Sequence, residues 1–310
     1  MSLSRHALPA ACLVLVVSQA APASAAFIAY LSRAGAGNAC TLASPCVSMI
    51  TALANAGDGG EVICLDKGAY SPGFIAITRS VTISCGDGLW EATGRQLDIT
   101  TPAGADVLIE GLVIDGGATG CCSLSFLGQG SLRLRRVRSG NIVGANSHGL
   151  AFTPNGPATL HVSESVFYNN GGSGIFVQPQ PGGYANVHVR DTRFERNAHG
   201  LLADGRFSVI GVNVNISDSI AAENSGNGFG ALTIAGKAPV TISITNSHVS
   251  GNLGDGLAAL GATIAVGGSM ITANATGVAA VFGGQILSWG DNQLRFNGTN
   301  GAFTDAAALQ

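Results

Sequence analysis

The sequence predicts an all-β solenoid, a right-handed parallel β-helix, and three observations carry that expectation. The first is a recurring outline: "LHVSESVFYNNGGSGIFV", "VHVRDTRFERNAHGLLA" and "VNISDSIAAENSGNGFGAL" each run from alternating apolar residues into an acid, then Ser or Thr, then Asn. The second is spacing. Glu164, Asp191, Asp218, Asn246, Gly268 and Asp291 are each followed six residues later by Asn170, Asn197, Asn224, Asn252, Asn274 and Asn297, while successive asparagines stand 27, 27, 28, 22 and 23 residues apart. One segment of the repeat is therefore fixed in length and another loop varies. The third is the size of the apolar runs, about four residues each, too short to form a stable sheet alone.

Such strands must pair with the next copy. Stacking repeats along an axis satisfies the backbone between coils and encloses an interior of Val, Ile, Leu, Ala and Phe. A left-handed coil needs a stricter six-residue pattern and a propeller needs longer blades, so neither fits as well. Degenerate earlier copies begin at "VLIEGLVIDGG" and "LRLRRVRSGN". A Gly and a second apolar run lie three or four residues beyond each Asn, as at Gly174 to Val177 and Gly200 to Ala203. An inward Asn amide at the bend can satisfy turn backbone groups and bond to the Asn of the coils above and below, so the six asparagines are expected to form a buried ladder. Asn also tolerates the left-handed backbone that such a bend often needs.

Composition narrows the class. The chain has 310 residues, 45 of them Gly, with 11% charged residues and a net charge of -3, which suits neither a disordered chain nor a general nucleic-acid binder. Residues 1–25 carry Arg5 and His6, an apolar core "ACLVLVVSQAA" and small residues at Ala23 and Ala25, the layout of a cleavable secretory signal. A secreted or periplasmic protein is expected, with no membrane span after cleavage. Six cysteines then remain, and six allow fifteen pairings. Cys40 with Cys46 is the favoured pair, and Cys64 with Cys85 lies one short repeat apart, within reach across stacked strands. Adjacent Cys121 and Cys122 have no assigned partner. No Cys-x-x-Cys pair or neighbouring His has zinc spacing, so no metal is expected, and no motif calls for a cofactor.

With these repeats in view, the chain resembles the right-handed parallel β-helix proteins of the pectate-lyase-like superfamily, over residues 60–303. The stretch "CTLASPCVSMITALANAGDGGEVICLDKGAY" resembles the cap of exported bacterial members. The resemblance implies a short amphipathic helix at Val47 to Ala56, with Met49, Ile50 and Leu53 turned inward, inside a cap spanning 26–59. Residues 304–310 are left as a tail. Superfamily enzymes include pectate lyases, polygalacturonases and uronate epimerases. "SHG" at Ser147 to Gly149 and "AHG" at Ala198 to Gly200 echo the Gly-His-Gly of polygalacturonases, but the matching aspartates are missing, so His148 and His199 read as polar turn residues. Glu164, Asp191 and Asp218 read as turn residues accepting backbone N–H groups rather than calcium ligands.

Two surfaces remain as binding candidates. Counting back from the acidic position places Arg133, His161, His188, Asn215 and Ser243 in one outward column and Arg135, Ser163, Arg190, Ser217 and Thr245 in the next. Arg133, Arg135, His161, His188 and Arg190 are then expected to form a basic patch suited to an acidic polysaccharide, with strands about 5 Å apart. After each Gly, the outward positions Ala151, Phe176, Leu202, Gly230, Ala258, Ala279 and Phe303 form an apolar face that suits a partner or a second copy of the chain. The expected function is an exported β-helix of binding or structural type that contacts acidic polysaccharide. The alternative is a carbohydrate-active enzyme, a lyase, hydrolase or uronate epimerase, with a non-standard site.

Overall fold

The computed structural model describes residues 27–306 except 71–73, 87, 93–96 and 117–121. The signal-peptide expectation, Cys121 and the last four residues lie outside them. The fold is a right-handed parallel β-helix. Its strands sort into a long sheet of twelve and two sheets of nine, and every named strand pair is parallel. Each central coil gives one strand to each sheet, as with Tyr184–Arg190 to the long sheet, Arg193–Glu195 to the second and His199–Asp204 to the third.

The bends explain why the chain turns where it does. Between the long and second sheets, Glu164, Asp191, Asp218, Asn246 and Gly268 all take positive φ, from 47° to 59°. The next residue supplies a hydroxyl that caps the preceding coil: Thr192 N donates to Ser219 Oγ at 3.2 Å, Ser219 N to Ser247 Oγ at 3.2 Å and Ser247 N to Ser269 Oγ at 3.1 Å. Between the second and third sheets runs the asparagine ladder. Asn170, Asn197, Asn224, Asn252 and Asn274 are buried, and each passes its backbone N–H and side-chain amide to the Oδ1 of the next, ending on Asn297. The side-chain amides also donate back to carbonyls of the previous coil, as Asn224 Nδ2 does to Phe194 O at 3.2 Å. The ladder residues themselves are not the left-handed ones. That conformation falls one residue earlier, at Asn169, Arg196, Glu223, Gly251, Ala273 and Phe296, which leaves the Asn side chain free to point inward.

Beyond the ladder the coils approach so closely that only Gly fits. A Cβ on Gly200 would lie 2.4 Å from Gly228 O. The interior is apolar and carries stacked rings, Phe126 on Phe152 at 4.8 Å and Phe167 on Phe194 at 5.6 Å, with Phe229 edge-on to Phe194.

The N-terminal end differs from the expected cap in two respects. Ile28–Leu31 already pairs with Gly60–Cys64, so the long sheet starts within the segment assigned to the cap. The helix is Met49–Ala56, capped by Ser48, and it buries Met49, Ala52, Leu53 and Ala56 while Ile50 stays exposed. The buried residues follow the i, i+3, i+4, i+7 stripe of the helix, and Ile50 lies off that stripe. Disulfides join Cys40 to Cys46 and Cys64 to Cys85, and Cys122 is also disulfide-bonded. At the other end Asp305–Ala306 adds a last strand to the long sheet, past the expected boundary at 303.

Candidate functional site

The long sheet positions the expected binding residues as the repeat implies. Register pairs Arg133 with His161, His161 with His188, His188 with Asn215 and Asn215 with Ser243. The neighbouring outward column runs Arg135, Ser163, Arg190, Ser217 and Thr245 in the same register. Inward alternates such as Val162, Val189 and Ile216 are buried, and their packing holds the outward ones in line. Between the columns lies a groove of about 590 Å³ lined by His161, Ser163, His188, Arg190, Asn215, Ser217, Ser243 and Thr245.

The patch is not simply basic. Arg133 pairs with Asp106 one coil below, Arg135 Nε meets Glu164 at 3.1 Å, and Arg190 Nε meets Asp191 at 3.4 Å. Glu164 and Asp191 are the turn acids that the sequence assigned to backbone N–H groups; their carboxylates face these arginines instead. The positive φ at both residues swings their side chains toward the sheet surface, a geometry that strand alternation alone does not reveal. Both members of the Arg190–Asp191 pair are half or more exposed, and an ion pair of that kind holds its partners only weakly.

Two imidazoles occupy the floor at the basic end. His161 and His188 stack with ring centroids 4.9 Å apart and planes 11° from parallel. Burial, then His188, then Arg133 hold His161 below the usual histidine pKa, so it is neutral near pH 7 and charges only on acidification. Farther along, the groove changes to amide and hydroxyl groups. A third outward column extends that character, with Thr159, Asn186, Asn213 and Thr241 in register.

The apolar column on the third sheet is in register from Ala151 through Phe176, Leu202, Gly230 and Ala258 to Ala279. Phe303 does not continue it. It lies outside any strand and packs against the end of the core, because the third sheet ends at Thr276–Val281. Ala151 and Ala258 are buried and Phe176 and Leu202 half-buried, so the column is a partly covered seam. His148 and His199, read from the sequence as turn residues, open the third-sheet strands His148–Phe152 and His199–Asp204. Among the described residues, no group of three or more His, Cys, Asp or Glu is placed to hold a metal ion. No helix among them is long and apolar enough to cross a membrane.

Three parallel sheets wound around an asparagine ladder define the class by fold: a right-handed parallel β-helix, an architecture shared with a solved pectate lyase. Among solved structures, pectate lyase Pel9A matches with a TM-score of 0.64 and 17% identity, covering 84% of this chain and 74% of that one. A rhamnogalacturonan lyase matches with a TM-score of 0.35 and 12% identity over 89% of this chain and 88% of that one. No protein-family profile and no curated protein sequence matches the chain.

Proposed function

We propose that the protein is an extracellular binder of acidic polysaccharide, with the polymer lying along the long-sheet groove. The carrying observation is the groove itself. It brings Arg190, His161 and His188 together at one end and continues through Asn215, Ser217, Ser243 and Thr245 over successive coils. A chain running along the axis meets new donors at every coil, about 4.8 Å apart, which suits a repeating ligand better than a single small molecule. Because Arg190 is held loosely by Asp191, a uronate carboxylate can replace that partner without leaving a buried charge behind. The stacked imidazoles add a flat surface for a sugar ring, and His161 adds a charge that rises on acidification. The fold shared with a pectate lyase supports the reading by architecture alone. Disulfides at Cys40–Cys46 and Cys64–Cys85 fit an oxidising compartment.

The test is retention on immobilised polygalacturonate across a salt gradient, with wild type run beside an Arg135→Ser, Arg190→Ser double variant. Earlier elution of the variant is expected, together with weaker wild-type retention as salt rises. Equal retention of the two proteins would refute the proposal. Release of unsaturated uronate from the polymer would make the protein a lyase instead.

A further inference from the structure

A second cleft lies away from the long sheet, over the start of the third sheet. It encloses about 460 Å³, within the usual size of small-molecule sites, and His148, Ser173, Phe176, Gln178, His199, Leu202, Asp204 and Arg206 line it. Three outward columns build it. Ser173 pairs with His199 on the coil above, and its backbone N–H bonds to His148 on the coil below. Phe176 pairs with Leu202 in the next column, and Gln178 reaches Asp204 in the third at 2.8 Å.

Hydrogen bonding fixes what this cleft offers. Ser173 N donates to His148 Nδ1 at 2.9 Å, and Asn227 N donates to His199 Nδ1 at 3.0 Å. A ring nitrogen that accepts carries no proton, so each neutral imidazole holds its proton on Nε2. Burial keeps both rings neutral, His148 with its pKa pushed down to about 4. Asp204 is buried and already saturated, accepting from Arg206 Nε at 3.0 Å, Arg206 Nη2 at 2.8 Å, the Arg206 backbone N–H at 3.0 Å and Gln178 Nε2. Ser173 is the exception. It is 1% exposed and its Oγ has no hydrogen-bond partner in the protein, an arrangement that native structures rarely tolerate. The unfilled capacity is thus two imidazole N–H groups, one hydroxyl and the outer edge of a half-exposed guanidinium, beside the Phe176 ring, which stacks on His148 at 4.6 Å.

We propose that this cleft is a second binding site, distinct from the long-sheet groove, for a small ring-bearing carboxylate of the uronic acid class. The carboxylate and ring oxygens accept from the two Nε2–H groups, the Ser173 hydroxyl and the outer N–H edge of Arg206, whose charge Asp204 already balances, and the ring's C–H face lies against Phe176 and Leu202. The two Nε2–H groups and the guanidinium edge favour an anion. The apolar flank selects an organic ring over an inorganic ion.

Histidine side-chain NMR of the full mature chain tests this, with galacturonate, galactose and sulfate titrated separately. Galacturonate should move the His148 and His199 signals saturably, while galactose and sulfate leave both in place at the same concentrations. Ser173→Ala removes an unpartnered hydroxyl and should fold at least as well as wild type, yet its galacturonate affinity should fall by about threefold to tenfold. Unmoved His148 and His199 signals would overturn the proposal, as would sulfate matching galacturonate or a Ser173→Ala variant that binds as wild type does. Movement of His161 and His188 alone would report the long-sheet groove and count against the second site.

Discussion

The protein carries two histidine pairs on two faces of one coil stack, and they are built for different work. His161 and His188 stand on adjacent coils of the long sheet, stacked on each other, with Arg133, Arg135 and Arg190 around them. His148 and His199 stand two coils apart on the third sheet, each with Nδ1 tied to a backbone N–H of the next coil. In the first pair His161 is exposed at the sheet surface and changes charge on acidification. The second is locked in one tautomer by the same backbone bonds that hold the coils together. A repeat fold can therefore place one residue type at equivalent positions and obtain a titrating surface on one side and fixed hydrogen-bond donors on the other.

The largest expected effect lies on the locked side. With a folded pKa near 4 against about 6.5 when unfolded, His148 is neutral in the native state, so its contribution is fully present above pH 6.5. It is lost as pH falls from 6.5 toward 4, by about 3 kcal/mol in total. Denaturant unfolding measured across that range should show the loss, and His148→Gln should flatten it. Next comes the shared scaffold: Asn224→Ala breaks the ladder in both directions and should cost about 1–3 kcal/mol in the same assay. On the long sheet, His161→Asn should reduce the gain in polygalacturonate retention that wild type shows between pH 7 and about pH 5, with little change at neutral pH. Smallest is Arg133→Ser. Its pair with Asp106 is about half exposed, so unfolding free energy should change by about 0–1 kcal/mol.

Much of this was legible in the sequence because the repeat ties spacing to geometry. A constant six-residue offset from turn to Asn placed Asn170 to Asn297 in one column, and counting back along the strand put Arg133, His161 and His188 side by side. What escaped was whatever the alternation rule does not govern. Glu164 and Asp191 leave the alternating pattern at positive φ, so their meeting with Arg135 and Arg190 could not be read from strand positions. The hydroxyl ladder through Ser219, Ser247 and Ser269 was visible only as a Ser following each turn residue. Phe303 was assigned outward by extending a register past the last strand of its sheet. His148 and His199 stood out in the sequence as fragments of another family's motif. Their role as backbone acceptors depends on the coil above, and no local pattern encodes it.

Binding along the long sheet is the central claim, and a crystal structure with an oligogalacturonate long enough to span three coils tests it most directly. The expected result is continuous sugar density along the groove, with a carboxylate on Arg190 in place of Asp191 and a ring over His161 and His188. Sugar bound only away from the long sheet, or none under conditions where the polymer retains the protein, would contradict it.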